Sequence, residues 1–212
     1  MADIEYSQLL PEVLPYLRAD PSDPVTENAI KRTVIEFCSS TLVWKHTPDP
    51  INVVAGTSAY TIAAPTDSVV AAVLSAQIDG QPIDPKSLDW LDSNVPRWRT
   101  QAATPEYFTQ TEPQQLILAP LPSSTLASGL TLTVGLQPSQ SAVGFPQWIF
   151  DQFLYVLADG AISKLMLMSD KPWTDMQNGA DRRARFESAT SGARTSADSS
   201  LGRATSRVTA QH

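Results

Sequence analysis

Catalytic raw material is scarce in this chain. It has two histidines, His46 and His212, one near the end of a helical pattern and one at the last position. No Ser-His-Asp, Cys-His or zinc-ligand spacing can be built from them. Cys38 stands alone, which excludes an intrachain disulfide, and its place beside Phe37 in an apolar pattern reads as a buried structural thiol. Gly80, Gly129, Gly135 and Gly144 occur singly, so no phosphate-cradling loop is expected. Asp89 and Asp92, three apart, read as exposed carboxylates and not as a metal pair. No catalytic residues, metal or cofactor are therefore expected, and the chain reads as a non-enzyme. No apolar run reaches the length of a membrane span. The first 20 residues carry four acids and one Arg, so no signal peptide is expected. Charged residues make up 17% of the chain, against about 25% in an ordinary soluble protein. Seventeen prolines accompany them. The pair of facts fits either many turns or a chain not wholly exposed as a monomer.

What is present is enough apolar material for a core, 42% of 212 residues, and an uneven charge. The net charge of −7 divides into 19 acidic and 9 basic side chains up to residue 180, then 3 acidic and 6 basic after it. A body this acidic does not neutralise duplex phosphates, which requires clustered Lys and Arg. It suits a wall past which DNA slides. The basic C-terminal end reads either as a solvated helix face or as a surface for an acidic partner.

The strongest periodicity lies between Phe145 and Arg194. Apolar residues at 150, 153, 154, 157, 161, 165 and 168 advance in threes and fours, which predicts a helix over 146–168, roughly 34 Å long at 1.5 Å per residue. Pro146 suits its first turn and Ser169-Asp170-Lys171-Pro172 stops it. A second helix, opened by Pro172, is predicted over 173–195, antiparallel to the first across a short loop. Upstream, Val25 to Trp44 reads as another helix, with Ala29, Val34, Phe37, Thr41 and Trp44 along one side. Tyr6, Leu9, Leu10, Val13, Leu14 and Leu17 keep helical spacing through Pro11 and Pro15, predicting a short helix or two half-turns.

Between these helices the texture changes. Residues 51–138 alternate, carry β-branched runs and are cut by turn signals. Asp79-Gly80 predicts a hairpin between Ala76–Ile78 and Gln81–Ile83. Ser87 predicts the cap of a short helix, Glu106–Thr109 and Gln115–Ala119 a strand pair, and Leu130–Leu136 a half-buried strand. The expected fold class is α+β. Residues 1–50 and 139–196 form a helical body with a C-terminal helical hairpin, 51–138 an inserted antiparallel β-domain, and 197–212 an extended tail too polar to fold alone.

Two groups of residues are candidates for contact with partners. Trp90, Arg97, Trp98, Arg99, Tyr107 and Phe108 cluster around a Pro-rich loop. They read as domain core, as Arg-aromatic contacts at a subunit or tail interface, or as a platform for sugar or single-stranded nucleic acid. Arg182, Arg183 and Arg185 crowd the second hairpin helix, and the tail adds Leu201, Arg203, Arg207 and Val208.

The order FPQWIFDQF, LADGAISKLM, KPWTDMQNGADRRARFESATSGAR resembles the C-terminal half of tailed-phage head-to-tail adaptor proteins. NAIKRTVIEFCSSTLVWKH, with its Phe-Cys and later Trp, has the same look. So does the block holding a Trp, a Thr-Pro-x-Tyr and the Leu-x-Leu-x-Pro-x-Pro strand. The resemblance runs from about residue 25 to 197. It implies a structural virion protein of the head-tail connector or neck, assembled in the host cytoplasm. Identical subunits, an expected twelve, would form a ring under the portal protein, meet a tail or neck protein below, and let genomic DNA pass without sequence-specific binding. Arg182, Arg183 and Arg185 read as facing the portal, DNA or water, and their crowding with the basic tail makes these residues and the tail the expected portal interface. From the residues alone a second reading stays open: a non-catalytic β-rich binding module recognising carbohydrate or peptide.

Overall fold

The computed structural model describes residues 3–198. Leu201, Arg203, Arg207 and Val208 lie outside the described residues. The architecture is mixed α+β and divides into two compact units, one made of the residues up to Val43 and from Val143 on, the other of Trp44–Ala142.

In the first unit, β1 (Asp3–Glu5) pairs antiparallel with β12 (Gly144–Pro146). No alternating pattern announces either strand. A β-carbon on Gly144 would lie 2.4 Å from the Ile4 carbonyl oxygen, so only glycine lets the two backbones approach this closely. After β1 the chain turns through two 3-10 segments flanking α1 (Leu10–Val13). Pro11 and Pro15 each break the helical bonding but leave the spacing intact, so Tyr6, Leu9, Val13 and Leu17 are all buried. Tyr6 stacks on Phe145 with ring centroids 5.6 Å apart.

The helix α2 (Asp23–Thr41) has Pro24 in its first turn and ends at Leu42, whose φ of 54° is left-handed and whose N–H bonds the Cys38 carbonyl. Thr26, Ala29, Ile30, Thr33, Val34, Phe37, Cys38 and Thr41 are buried in steps of three and four. The hydroxyls of Thr33 and Thr41 donate to the carbonyls of Ala29 and Phe37, 2.8 and 2.7 Å away, so neither is left unbonded in the interior.

α4 (Gln147–Met166) follows β12 and is kinked where Phe153 leaves helical geometry. Beyond the kink Leu157, Ala158, Ala161, Ile162, Leu165 and Met166 are buried. The expected second helix starts later than the sequence predicts. Pro172 and Trp173 lie in the turn, and α5 runs Met176–Asp198. Asp175 explains the start: its Oδ1 accepts the Asn178 N–H at 3.2 Å, and its own N–H bonds the Met166 carbonyl at 3.0 Å. The helix also passes the predicted end, with Ala197 buried near its last turn. α5 packs on α4 through Phe186 against Gly160 and Gly179 against Leu167.

The second unit is a mixed sheet. Its order is β2 (Lys45–His46), β11 (Leu126–Pro138), β5 (Ser68–Ile78), β6 (Gln81–Pro85), β8 (Tyr107–Glu112), β9 (Gln115–Ala119), β4 (Ala59–Thr61), with β3 (Ile51–Val53) also on β11. All neighbours are antiparallel except β6 and β8, which run parallel. A further pair, β7 (Ala102–Ala103) with β10 (Leu121–Pro122), stands apart. The hairpin at Asp79-Gly80 forms in the predicted register, Ala76 opposite Ile83 and Ile78 opposite Gln81, with both turn residues at positive φ. One face buries Ile62, Leu116, Leu118, Leu130, Val134 and Leu136 as a continuous core. Between β6 and β7 lies α3 (Leu88–Asn94), capped as expected by Ser87, whose side chain accepts the Trp90 N–H.

Candidate interaction surfaces

The α5 arginines do different things. Arg182 bonds Asp159 of α4, and its guanidinium lies 4.5 Å from the centroid of the Tyr16 ring. Arg183 pairs with Glu36 of α2 at 2.6 Å and with Glu187, one turn along α5, at 2.7 Å. Lys164 of α4 also bonds Glu36, so one carboxylate ties three helices together. Burial by itself raises the Glu36 carboxyl, but hydrogen bonds from Arg183 and Lys164 outweigh it and hold the group below the ordinary carboxylate range. Arg185 is exposed and makes no ion pair among the described residues. The three arginines the sequence presents as one patch are thus two internal staples and one cation unpaired among the described residues.

The aromatic group divides as well. Trp98 is 4% and Phe108 2% exposed, so they are interior side chains and not an exposed stacking platform. Phe108 belongs to the main sheet core. Trp98 packs with Leu91 and Ala119 in a smaller core beneath α3. Its indole N–H donates to Asp92 at 2.8 Å, and Arg99 holds the same carboxylate while lying over the Trp98 ring. Two hydrogen bonds from Arg99 and Trp98, in that order, keep the Asp92 carboxyl below its usual range. Half-buried Trp90 meets Tyr107 edge-on at 5.2 Å, with the Lys86 ammonium 4.9 Å from the Trp90 centroid. Arg97, at φ 58°, and Arg99 are the exposed members of the set. Of the three readings open for the six, Trp98 and Phe108 take that of domain core. Their neighbours in sequence hid this, because alternation in a short strand and a loop Trp look alike whether the far side is solvent or protein.

The concave surfaces of the helical unit include two among the described residues. One is polar and lined by Tyr16, Met166, Asn178, Asp181, Arg182 and Arg185. The other is a groove of about 700 Å³ between α2 and the end of α4, mostly apolar, with Arg32 and Lys164 at its edge. Sequence periodicity marks the buried faces of both helices and says nothing of the gap between them.

Compared with families of known proteins, the chain matches the SU10 adaptor protein family over residues 4–210. The chain belongs to that family. It is a phage adaptor-type family, in accord with the resemblance carried by the helical segments. No curated protein matches the chain significantly. In this adaptor the described residues hold no cluster of His, Cys, Asp or Glu arranged for a metal ion. No described helix is long and apolar enough to cross a membrane.

Proposed function

We propose that the chain is a structural component of the phage virion that joins head to tail. The family match across residues 4–210 carries this reading. In it, identical subunits, twelve of them, form a ring beneath the portal protein and above a tail or neck protein. The helical body with its C-terminal hairpin is the part that stacks into the ring, and genomic DNA passes through the axis. The excess of acids up to residue 180 supports such a passage, because a negative wall repels phosphate. The portal contact is assigned to Arg185 on α5 and to the segment beyond Asp198.

Mixing the purified chain with assembled portal and imaging the particles tests the proposal. A ring of density under the portal with the portal's symmetry is the expected outcome. Tight, salt-sensitive duplex binding by the isolated chain, or necks that lack it, would overturn the reading.

A further inference from the structure

We infer that neighbouring subunits join by a knob-and-groove contact: Tyr155 of one copy enters the groove between α2 and α4 of the next, where Asp151 pairs with Arg32. The inference rests on the ring proposed above and names the surface that would close it.

Three observations converge. Tyr155 is 77% exposed, the most exposed large apolar side chain among the described residues, while Leu157, two positions along the same helix, is fully buried. The groove offers what such a ring lacks in its own subunit. Val25, Ala29 and Arg32 follow each other along α2 at intervals of four and three, and Leu167 and Met168 form the far wall. Its volume of about 700 Å³ admits an aromatic side chain together with its flanking residues. The charges are complementary. Arg32 at the rim is exposed and has no ion pair among the described residues, and Asp151, four positions before Tyr155, is likewise exposed and unpaired. Lys164, the other rim cation, is already neutralised by Glu36.

The placement of knob and groove decides the symmetry. Lys164 follows Tyr155 by nine positions, about two and a half turns at 3.6 residues per turn, so the groove wall and the exposed ring lie on opposite sides of α4. A surface that meets its complement on the far side of the same body makes a head-to-tail contact, which closes into a ring when the rotation permits. An isologous dimer would place the same patch on both partners, and this arrangement does not. The chain's own residues 199–212 fit the groove less well: they carry two arginines and no acid, and the rim is already positive.

Separate Asn28→Cys and Gln152→Cys variants, which keep the Tyr155 ring, test the contact by oxidative cross-linking; Gln152 is exposed one turn before Tyr155. The native Cys38 is fully buried and contributes little background. Each variant alone should stay monomeric on a denaturing gel, and their mixture should give a covalent dimer. Arg32→Asp should raise the concentration needed for association at least about tenfold, and adding Asp151→Arg should restore it. Circular dichroism confirms that each variant is folded. If the unmodified chain forms rings by native mass spectrometry while the mixture gives no dimer, this contact is overturned and the ring survives. If neither the free chain nor isolated necks show a ring, both are overturned. A cross-link from position 28 to portal, or to the chain's own last residues, would show that something else fills the groove.

Discussion

Gly160 sits where three helices meet, and adding one methyl there is the sharpest probe of the helical unit. An ideal β-carbon at this position would stand 2.5 Å from Thr33 Cγ2 of α2 and 2.7 Å from the Phe186 ring of α5. Real β-carbons do not come this close, so something must move. Neither neighbour moves freely: Thr33 is held by its hydrogen bond to the Ala29 carbonyl, and Phe186 is 1% exposed. Overfilling a packed core costs about 1–3 kcal/mol. Replacing a mid-helix glycine by alanine returns about 0.8–1.0 kcal/mol through the unfolded chain and the helix. With both neighbours held, the cost falls in the upper part of that range, so the clash wins and Gly160→Ala should lower the stability of this unit by about 1–2 kcal/mol. Urea unfolding followed by the helical circular dichroism signal reads this as a lower midpoint at unchanged slope. A companion Thr33→Ser change removes the methyl that the new β-carbon meets. Alone it leaves a small void and should destabilise; combined with Gly160→Ala it should recover about 1 kcal/mol relative to additivity. If Gly160→Ala matches or exceeds the native stability, or the two changes simply add, the three-helix contact is not packed as described.

Other consequences follow from the same interior. Leu157 is fully buried on α4, so Leu157→Asp places an unpaired charge in the core and should abolish the cooperative helical transition at neutral pH. Glu36 has its folded pKa below the unfolded value, so its contribution is present above the ordinary carboxylate range and is lost as pH falls through the lowered value. Glu36→Gln should therefore cost about 1 kcal/mol at neutral pH and flatten the acid limb of a stability-versus-pH curve; an unchanged limb would remove the three-helix ion network from the account. Burial pushes the Cys38 thiol up to about 12, so a thiol reagent at pH near 8 should label it no faster than the chain unfolds. Rapid labelling of native protein would show an opening that the packing does not contain.

Local signals hold where the physics is local. The Asp79-Gly80 turn and the Ser87 cap depend on residues a few positions apart, and each lies where its pattern puts it. The α4 stripe is buried at Leu157, Ala161 and Leu165, while Phe150, Phe153 and Leu154 are half-buried and Met168 falls past the helix end. The sequence pattern puts the start of α5 too early because two start signals compete within four residues. Pro172 satisfies the rule for a first helical turn, but Asp175 supplies an acceptor for an orphan N–H, and the helix begins after it. The pairing of β1 with β12 escaped because three-residue strands carry too little alternation to register. The arginines illustrate the larger limit. Arg182, Arg183 and Arg185 are equivalent as sequence, yet Asp159 is 23 positions from Arg182, and Glu36 comes to Arg183 from another helix altogether. Which cation is free is a property of packing.

That difference sets the terms of the last prediction, the test of the portal contact. Reversing Arg182 and Arg183 would leave Asp159 and Glu36 facing new negative charges in partly covered surroundings. The helical unit should lose stability, and any loss of portal binding would follow from that and say nothing of an interface. Arg185→Glu is the informative change, because the side chain is exposed and bound to no acid among the described residues. It should leave the unfolding midpoint within about 0.5 kcal/mol of native. Binding to portal at low salt should weaken about tenfold, and the difference should shrink as salt is raised, since exposed charges about a Debye length apart are screened. Truncation should likewise begin after Asp198, because Ala197 is buried and removing it disturbs α5. A chain ending there that folds normally but docks poorly would place the remaining contact in residues 199–212. If Arg185→Glu and this truncation both bind portal as the native chain does, neither α5 nor the last residues meet it. The portal surface must then be sought on the other helices or on the sheet unit.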